Sequence, residues 1–214
     1  MDLNSKNDSL VLSYLDQRKA IGVIGMALPF VLAIGKMLLV GGGIQPSISA
    51  YYYTIMRGVF VGSLWSIGVF LFSYRGYSKV DSIAGNLACL FAVATSLFPT
   101  NPPGIPTTSQ SIIGILHAIF ALGLFSTLAF FCLALFRKTN PNQTPTPEKL
   151  QRNNVYTACG YTMIVSIALI IILGFMPHDL SIFKISPVFW LEALAIVSFG
   201  ISWFVKGEAI LKDK

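Results

Sequence analysis

The run IIGILHAIFALGLFSTLAFFCLALF, Ile112 to Phe136, is twenty-five residues long and contains no Asp, Glu, Lys or Arg. A helix needs about 20 such residues, rising ~1.5 Å each, to cross a ~30 Å hydrocarbon core. Working outward in both directions, five more apolar runs lie at Ala20–Val40, Thr54–Tyr74, Ser82–Phe98, Val155–Phe175 and Pro187–Val205, interrupted only by the charges of Lys36, Arg57 and Glu192. Strands of a membrane barrel would be about 10 residues long with alternating polarity, and these runs are neither. The composition agrees: 54% of the 214 residues are hydrophobic and 11% charged, against roughly 25% charged in a soluble domain. The expected fold is all-α, an integral membrane bundle of six transmembrane helices over residues 20–205. Residues 1–19 then form a tail or a surface helix, and residues 206–214 a second tail.

The first twenty residues, MDLNSKNDSLVLSYLDQRKA, are polar and of mixed charge. A cleaved secretory signal has a basic, then apolar, then small-residue order, so the first helix is expected to stay in the mature protein. Leu10, Leu12, Tyr14 and Leu15 give this segment an apolar side suited to a membrane surface. Six spans put Lys6, Arg18, Lys19, Arg75, Lys79, Arg137, Lys138, Lys149, Arg152, Lys206, Lys212 and Lys214 on one side, twelve of the 15 basic residues. Lys36, Arg57 and Lys184 face the other. By the positive-inside rule both termini are cytoplasmic, in a cell (inner or plasma) membrane. The net charge of +6 reflects this asymmetry and attraction to anionic headgroups, and it implies no nucleic-acid partner. Membrane lipids are the expected partners, and a membrane-protein partner or a homo-oligomer fits the same pattern.

The loops differ by side. TNPNQTPTPEKLQRNN, residues 139–154, is rich in Pro, Thr and Asn and reads as an extended linker. The opposite side carries GGGIQPSISAYYY, PTNPPGIPTTSQS and MPHDLSIFKIS, which combine prolines, hydroxyls and aromatic rings with few charges. Small residues spaced by four mark close helix contacts in lipid. Such seams run through Ala84, Ala88, Ala92 and Ser96 and through Gly58, Gly62 and Ser66, and the two are expected to meet. Cys89, Cys132 and Cys159 match no disulfide or metal framework and read as thiols inside helices.

Ionisable groups at membrane depth are expensive and normally face the bundle interior with a partner. His117 and Glu192 each lie about five residues, ~8 Å, inside the outer boundary, with Arg57 somewhat shallower. An Arg57–Glu192 or His117–Glu192 pair would satisfy them. Three consecutive tyrosines cannot all face lipid on a helix. Together Ser47, Ser49, Tyr52, Tyr53, Arg57, His117 and Glu192 outline an outer-facing polar cavity that would bind an amphipathic or lipid ligand.

The order PSIS (Pro46–Ser49), an arginine eight residues beyond it, FPTNPPG (Phe98–Gly104) and a histidine in LHAIFA (Leu116–Ala121) resembles the bacterial multi-pass family labelled domain of unknown function 998. It is distantly similar to the eukaryotic Frag1, DRAM and Sfk1 membrane proteins. That family often has an acidic residue after the Phe-Pro pair, where this chain has Asn101. The resemblance implies a six-helix membrane protein and no particular reaction.

Other functions are less well served by the residues. A lipid hydrolase of the alkaline ceramidase type would need a zinc site with three protein ligands, and with only His117 and His178 present, Asp179 or Glu192 would have to complete it. There is no G-x-S-x-G elbow and no phosphate-binding glycine loop, so no cofactor or metal is expected. A small transporter would show an internal repeat or helices broken at mid-membrane. A scaffold or assembly subunit without a small ligand requires no further feature.

Overall fold

The structure, a computed structural model, describes residues 3–76, 78–139, 144–177 and 180–211, with side chains from Tyr14 onward. Six helices account for most of them: α1 Leu3–Val40, α2 Arg57–Ser73, α3 Lys79–Leu97, α4 Thr108–Phe130, α5 Pro147–Gly174 and α6 Pro187–Lys206. A π turn, Phe131–Leu135, prolongs α4, and single 3-10 turns stand at Ser49–Tyr53 and Ser181–Ile185. Five of the helices are long and apolar enough to cross a membrane, and α2, with 17 residues, is shorter. Large apolar side chains, among them Phe30, Leu38, Phe72, Leu90, Ile119 and Ile172, point outward. An apolar exterior around several long helices is the architecture of a polytopic membrane protein.

The sequence explains most helix ends. In α3 the Ser78 amide donates to the Asp81 carboxylate at 3.0 Å, and in α4 the Thr107 amide donates to Gln110 Oε1 at 2.8 Å, so both starts are capping boxes. Thr146 Oγ1 accepts from the Lys149 amide at 3.1 Å ahead of Pro147, and α6 also opens on a proline, which lacks an amide that would go unpaired there. Gly41 and Gly42 follow α1 at φ 72° and 75°, a left-handed conformation that glycine adopts without Cβ strain. The α1 helix runs without a break through Ala20 and through Pro29, which bilayer helices tolerate when neighbours cover the freed carbonyl. Its polar first turns are therefore part of the same helix as the apolar segment. Helix α2 starts at Arg57 and not at Thr54, because Thr54 Oγ1 donates to the Tyr51 carbonyl (2.8 Å) and accepts from the Met56 amide (3.1 Å), closing the 3-10 turn first.

Each helix packs on its neighbours in sequence, and α6 returns to α1, so the six form a closed ring. Helices α1 and α6 cross at close range. A Cβ on Gly22 would lie 2.7 Å from the Phe204 amide nitrogen, and one on Gly200 2.6 Å from that of Met26. Helices α2 and α3 are adjacent, as the small-residue seams suggest, and Ala84, Ala88, Ala92 and Ser96 are buried. The other half of that expectation is overturned. Gly58, Gly62 and Ser66 are exposed, and a Cβ on Gly58 or Gly62 would meet nothing within 4 Å. Helix α2 instead turns Leu64, Ile67, Gly68 and Leu71 inward, and Gly85 of α3 sits where a Cβ would be 2.6 Å from the Leu71 carbonyl.

The two ends of the ring differ. At the end holding Ser78 and Lys138, Trp203 is enclosed by Tyr74, Phe131 and Phe136 at ring-centre distances of 5.2, 5.5 and 5.1 Å, mostly edge-to-face. Asp81, fully buried there, pairs with Lys138 at 2.8 Å. At the other end the chain between α1 and α2 folds over the ring, and the Pro46 carbonyl accepts from the Phe189 amide at 3.0 Å.

Candidate functional site

That connection, 41–56, builds the site. Ser47 Oγ accepts from the Ala50 amide at 3.0 Å and so caps the 3-10 turn. Tyr51 is fully buried, with its ring centre 6.1 Å from that of Phe189. Its hydroxyl accepts from the Gln45 amide at 3.4 Å, and burial pushes the phenol above its ordinary range, so it stays neutral. The turn thereby plugs the ring and points Ile48 and Ser49 inward, where both are buried.

Three elements converge on this plug. From α6, the Glu192 carboxyl accepts from the Ile48 amide at 2.5 Å and from the Ser49 amide. From α4, buried His117 places Nε2 2.9 Å from Ser49 Oγ. Its Nδ1 lies 2.6 Å from the Phe98 carbonyl and 3.0 Å from that of Thr95, both at the end of α3. Carbonyls only accept, so Nδ1 carries the proton, and when the ring is neutral Nε2 accepts from the Ser49 hydroxyl. Residues of PSIS, FPTNPPG and LHAIFA, far apart in sequence, thus meet in one hydrogen-bonded cluster.

Of the seven residues singled out above, Ser49, His117 and Glu192 belong to this cluster. Ser47 supports it through its cap. Arg57 does not join it: the guanidinium is exposed, hydrogen-bonds the Tyr52 hydroxyl and lies 4.0 Å from that ring's centre. Tyr53 donates to the Thr100 carbonyl at 2.7 Å and ties the plug to the FPTNPPG loop. Neither expected ion pair forms. His117 and Glu192 are linked through Ser49, while Arg57 finds an aromatic hydroxyl and ring closer at hand. Lys36 donates to the Gly43 carbonyl at 2.8 Å and steadies the same loop. Asn101 packs against α4 where a Cβ on Gly114 would be 2.1 Å from its Oδ1.

Beneath the cluster lies a cavity of about 50 Å³ at the centre of the ring. Ser49, Thr95 and Glu192 line its polar end, and Leu64, Leu124 and Phe199 are among its apolar walls. Thr95 Oγ1 is buried without a hydrogen-bond partner among the described residues, an arrangement that costs about 1–3 kcal/mol unless something occupies the space. Thr95 gave no sequence signal, because threonine is common in membrane helices. The partners that matter most, the Ile48 and Ser49 amides and the Thr95 and Phe98 carbonyls, are backbone groups that every residue carries.

Among the described residues no three His, Cys, Asp or Glu side chains come together as metal ligands do, and His178 and Asp179 lie outside those residues. Cys89, Cys132 and Cys159 are free thiols. Compared with protein-family models, with curated proteins and with solved structures, the chain matches none.

Proposed function

We propose that this protein spans a cell (inner or plasma) membrane six times, with both termini in the cytoplasm, and holds the apolar end of an amphipathic or lipid ligand beneath its outer plug. The observation that carries the reading is the central cavity, which is apolar along its length and ends at Ser49, Glu192 and the orphaned Thr95 hydroxyl. A ligand with a slender chain and a hydrogen-bonding head matches both parts. At about 50 Å³ the space is smaller than the ~150 Å³ cavities that hold one benzene ring, so it takes the tip of one chain rather than a whole lipid. Six spans are supported by the closed ring, since α2 at 17 residues reaches the lower limit of spanning length. Orientation is supported by the gathering of basic residues at the end away from the plug. The convergence of PSIS, FPTNPPG and the α4 histidine supports membership of the family labelled domain of unknown function 998.

The test is lipid retention. Native mass spectrometry of the full chain released from mild detergent should find a co-purifying amphipath, and Ala121→Phe, which fills the cavity, should lose it without lowering the melting temperature. Retention unchanged in Ala121→Phe would overturn the reading.

One observation favours a hydrolase as the second reading. The Ser49 hydroxyl is bonded to an imidazole whose other nitrogen is fixed by carbonyls, the arrangement of a nucleophile and its base. It ranks second because the Ile48 and Ser49 amides, the nearest donors for an oxyanion, are already engaged by Glu192. Labelling of Ser49 by a fluorophosphonate, abolished in His117→Gln, would reverse the ranking.

A further inference from the structure

At the end of the ring opposite the plug, four basic side chains from three helices converge on the aromatic cluster. Arg18 of α1 stacks its guanidinium 4.4 Å from the Tyr14 ring centre and 5.5 Å from that of Tyr74. Its Nη1 is 3.4 Å from the Lys206 carbonyl, and its Nε is buried with no acceptor among the described residues. Lys206 of α6 holds its ammonium 5.4 Å from the Phe136 ring centre. Lys149 of α5 donates to the Phe136 carbonyl at 2.7 Å. Arg152, buried one turn further along α5, donates to the Leu211 carbonyl at 2.6 Å. Lys206 stands in the field of Arg18, Lys149 and Arg152 together.

The opposing charge acting on Lys206 among the described residues is Asp81, and that carboxylate is already held by Lys138 at 2.8 Å. Among the described residues neither Arg18 nor Lys206 has a carboxylate partner. A second donor beside Tyr74 is also unmet: Trp203 is fully buried, and its indole N–H has no acceptor among the described residues. Arg18 and Lys206, like charges held beside desolvated donors, repel one another, and their arrangement is stabilised when an anion enters. Arginine and lysine gathered at one membrane end favour phosphate oxygens, which accept several charge-assisted hydrogen bonds at once.

We propose that Arg18, Lys149, Arg152 and Lys206 form a binding site for a phosphate-bearing anion, either an anionic phospholipid headgroup or free phosphate. The site is separate from the central cavity and does not depend on what that cavity holds.

The full chain in an uncharged detergent is titrated with phosphatidic acid, with phosphatidylcholine and with inorganic phosphate while its melting temperature is followed. Phosphatidic acid should raise the melting temperature, and the response should weaken as salt is added. Its apparent affinity should fall about tenfold in Arg18→Gln and in Lys206→Gln, stay near normal in Lys206→Arg, and be unchanged in Lys184→Gln at the other end. A shift reproduced by phosphate alone assigns the site to the soluble anion, and a shift that needs the acyl chains assigns it to the lipid. An equal response to phosphatidylcholine overturns the proposal, as does a wild-type response in either glutamine variant. Should neither glutamine variant fold, a shift that does not weaken with salt overturns it.

Discussion

His117 joins α3, α4 and the plug through a single ring, so its removal leaves the Ser49 hydroxyl and two carbonyls unsatisfied in a buried place. His117→Ala should cost about 1–3 kcal/mol, read as a lower melting temperature of the detergent-solubilised protein. Glu192→Gln keeps an oxygen for one amide but turns an NH2 group toward the other, and should also destabilise. Arg57→Gln should not add to that effect in a cooperative way. Because Arg57 is engaged by Tyr52 and Glu192 by the Ile48 amide, the double-mutant cycle should be additive within about 0.5 kcal/mol. A coupling well above that value would mean the two charges interact after all. His117 and Glu192 were legible in the sequence as polar residues in apolar runs, and Ser49 as part of PSIS. Their partners were not legible, since a carboxyl that could bond an arginine can equally bond two backbone amides, and only the fold of the 41–56 connection decides.

Helix faces show the same limit in another form. The spacing of Gly58, Gly62 and Ser66 is that of a contact seam, yet this face of α2 points outward, and Gly68 and the aliphatic face do the packing. Periodicity defines a stripe without saying which stripe meets a neighbour, and where several faces carry small residues the phase is set by the neighbouring helices. Two substitutions on one helix separate the possibilities. Leu64→Ala should cost about 2–5 kcal/mol by opening the core, whereas Gly62→Leu should be nearly silent. Across the ring, Gly200→Leu should prevent stable expression, because the new side chain would meet the Met26 backbone and not a movable side-chain tip. Expression and melting profiles of the three variants check the order, and a destabilising Gly62→Leu would put the α2 face elsewhere.

For the whole molecule, the six apolar runs were readable from length and polarity alone, and the helices fall within a few residues of them except at the starts of α5, where Pro147–Asn154 is helical and not part of the extended linker expected over 139–154, and of α1. There the polar start continues the helix, which hydropathy does not register. The proposed topology is checked by cysteine labelling on a background lacking Cys89, Cys132 and Cys159. Positions in the Arg137–Asn154 connection should react only after the membrane is permeabilised, and labelling from outside would invert the topology. The return of α6 onto α1 also carries a consequence for biosynthesis. Helix α1 leaves the ribosome long before α6, so the Gly22 and Gly25 face has no native partner until α6 is made. Until then both the central cavity and the aromatic cluster around Trp203 are open to lipid on one side. A nascent chain arrested before Pro187 should therefore be the form that quality-control proteases of the membrane recognise, and release of α6 from the translocon should be the step that ends that exposure.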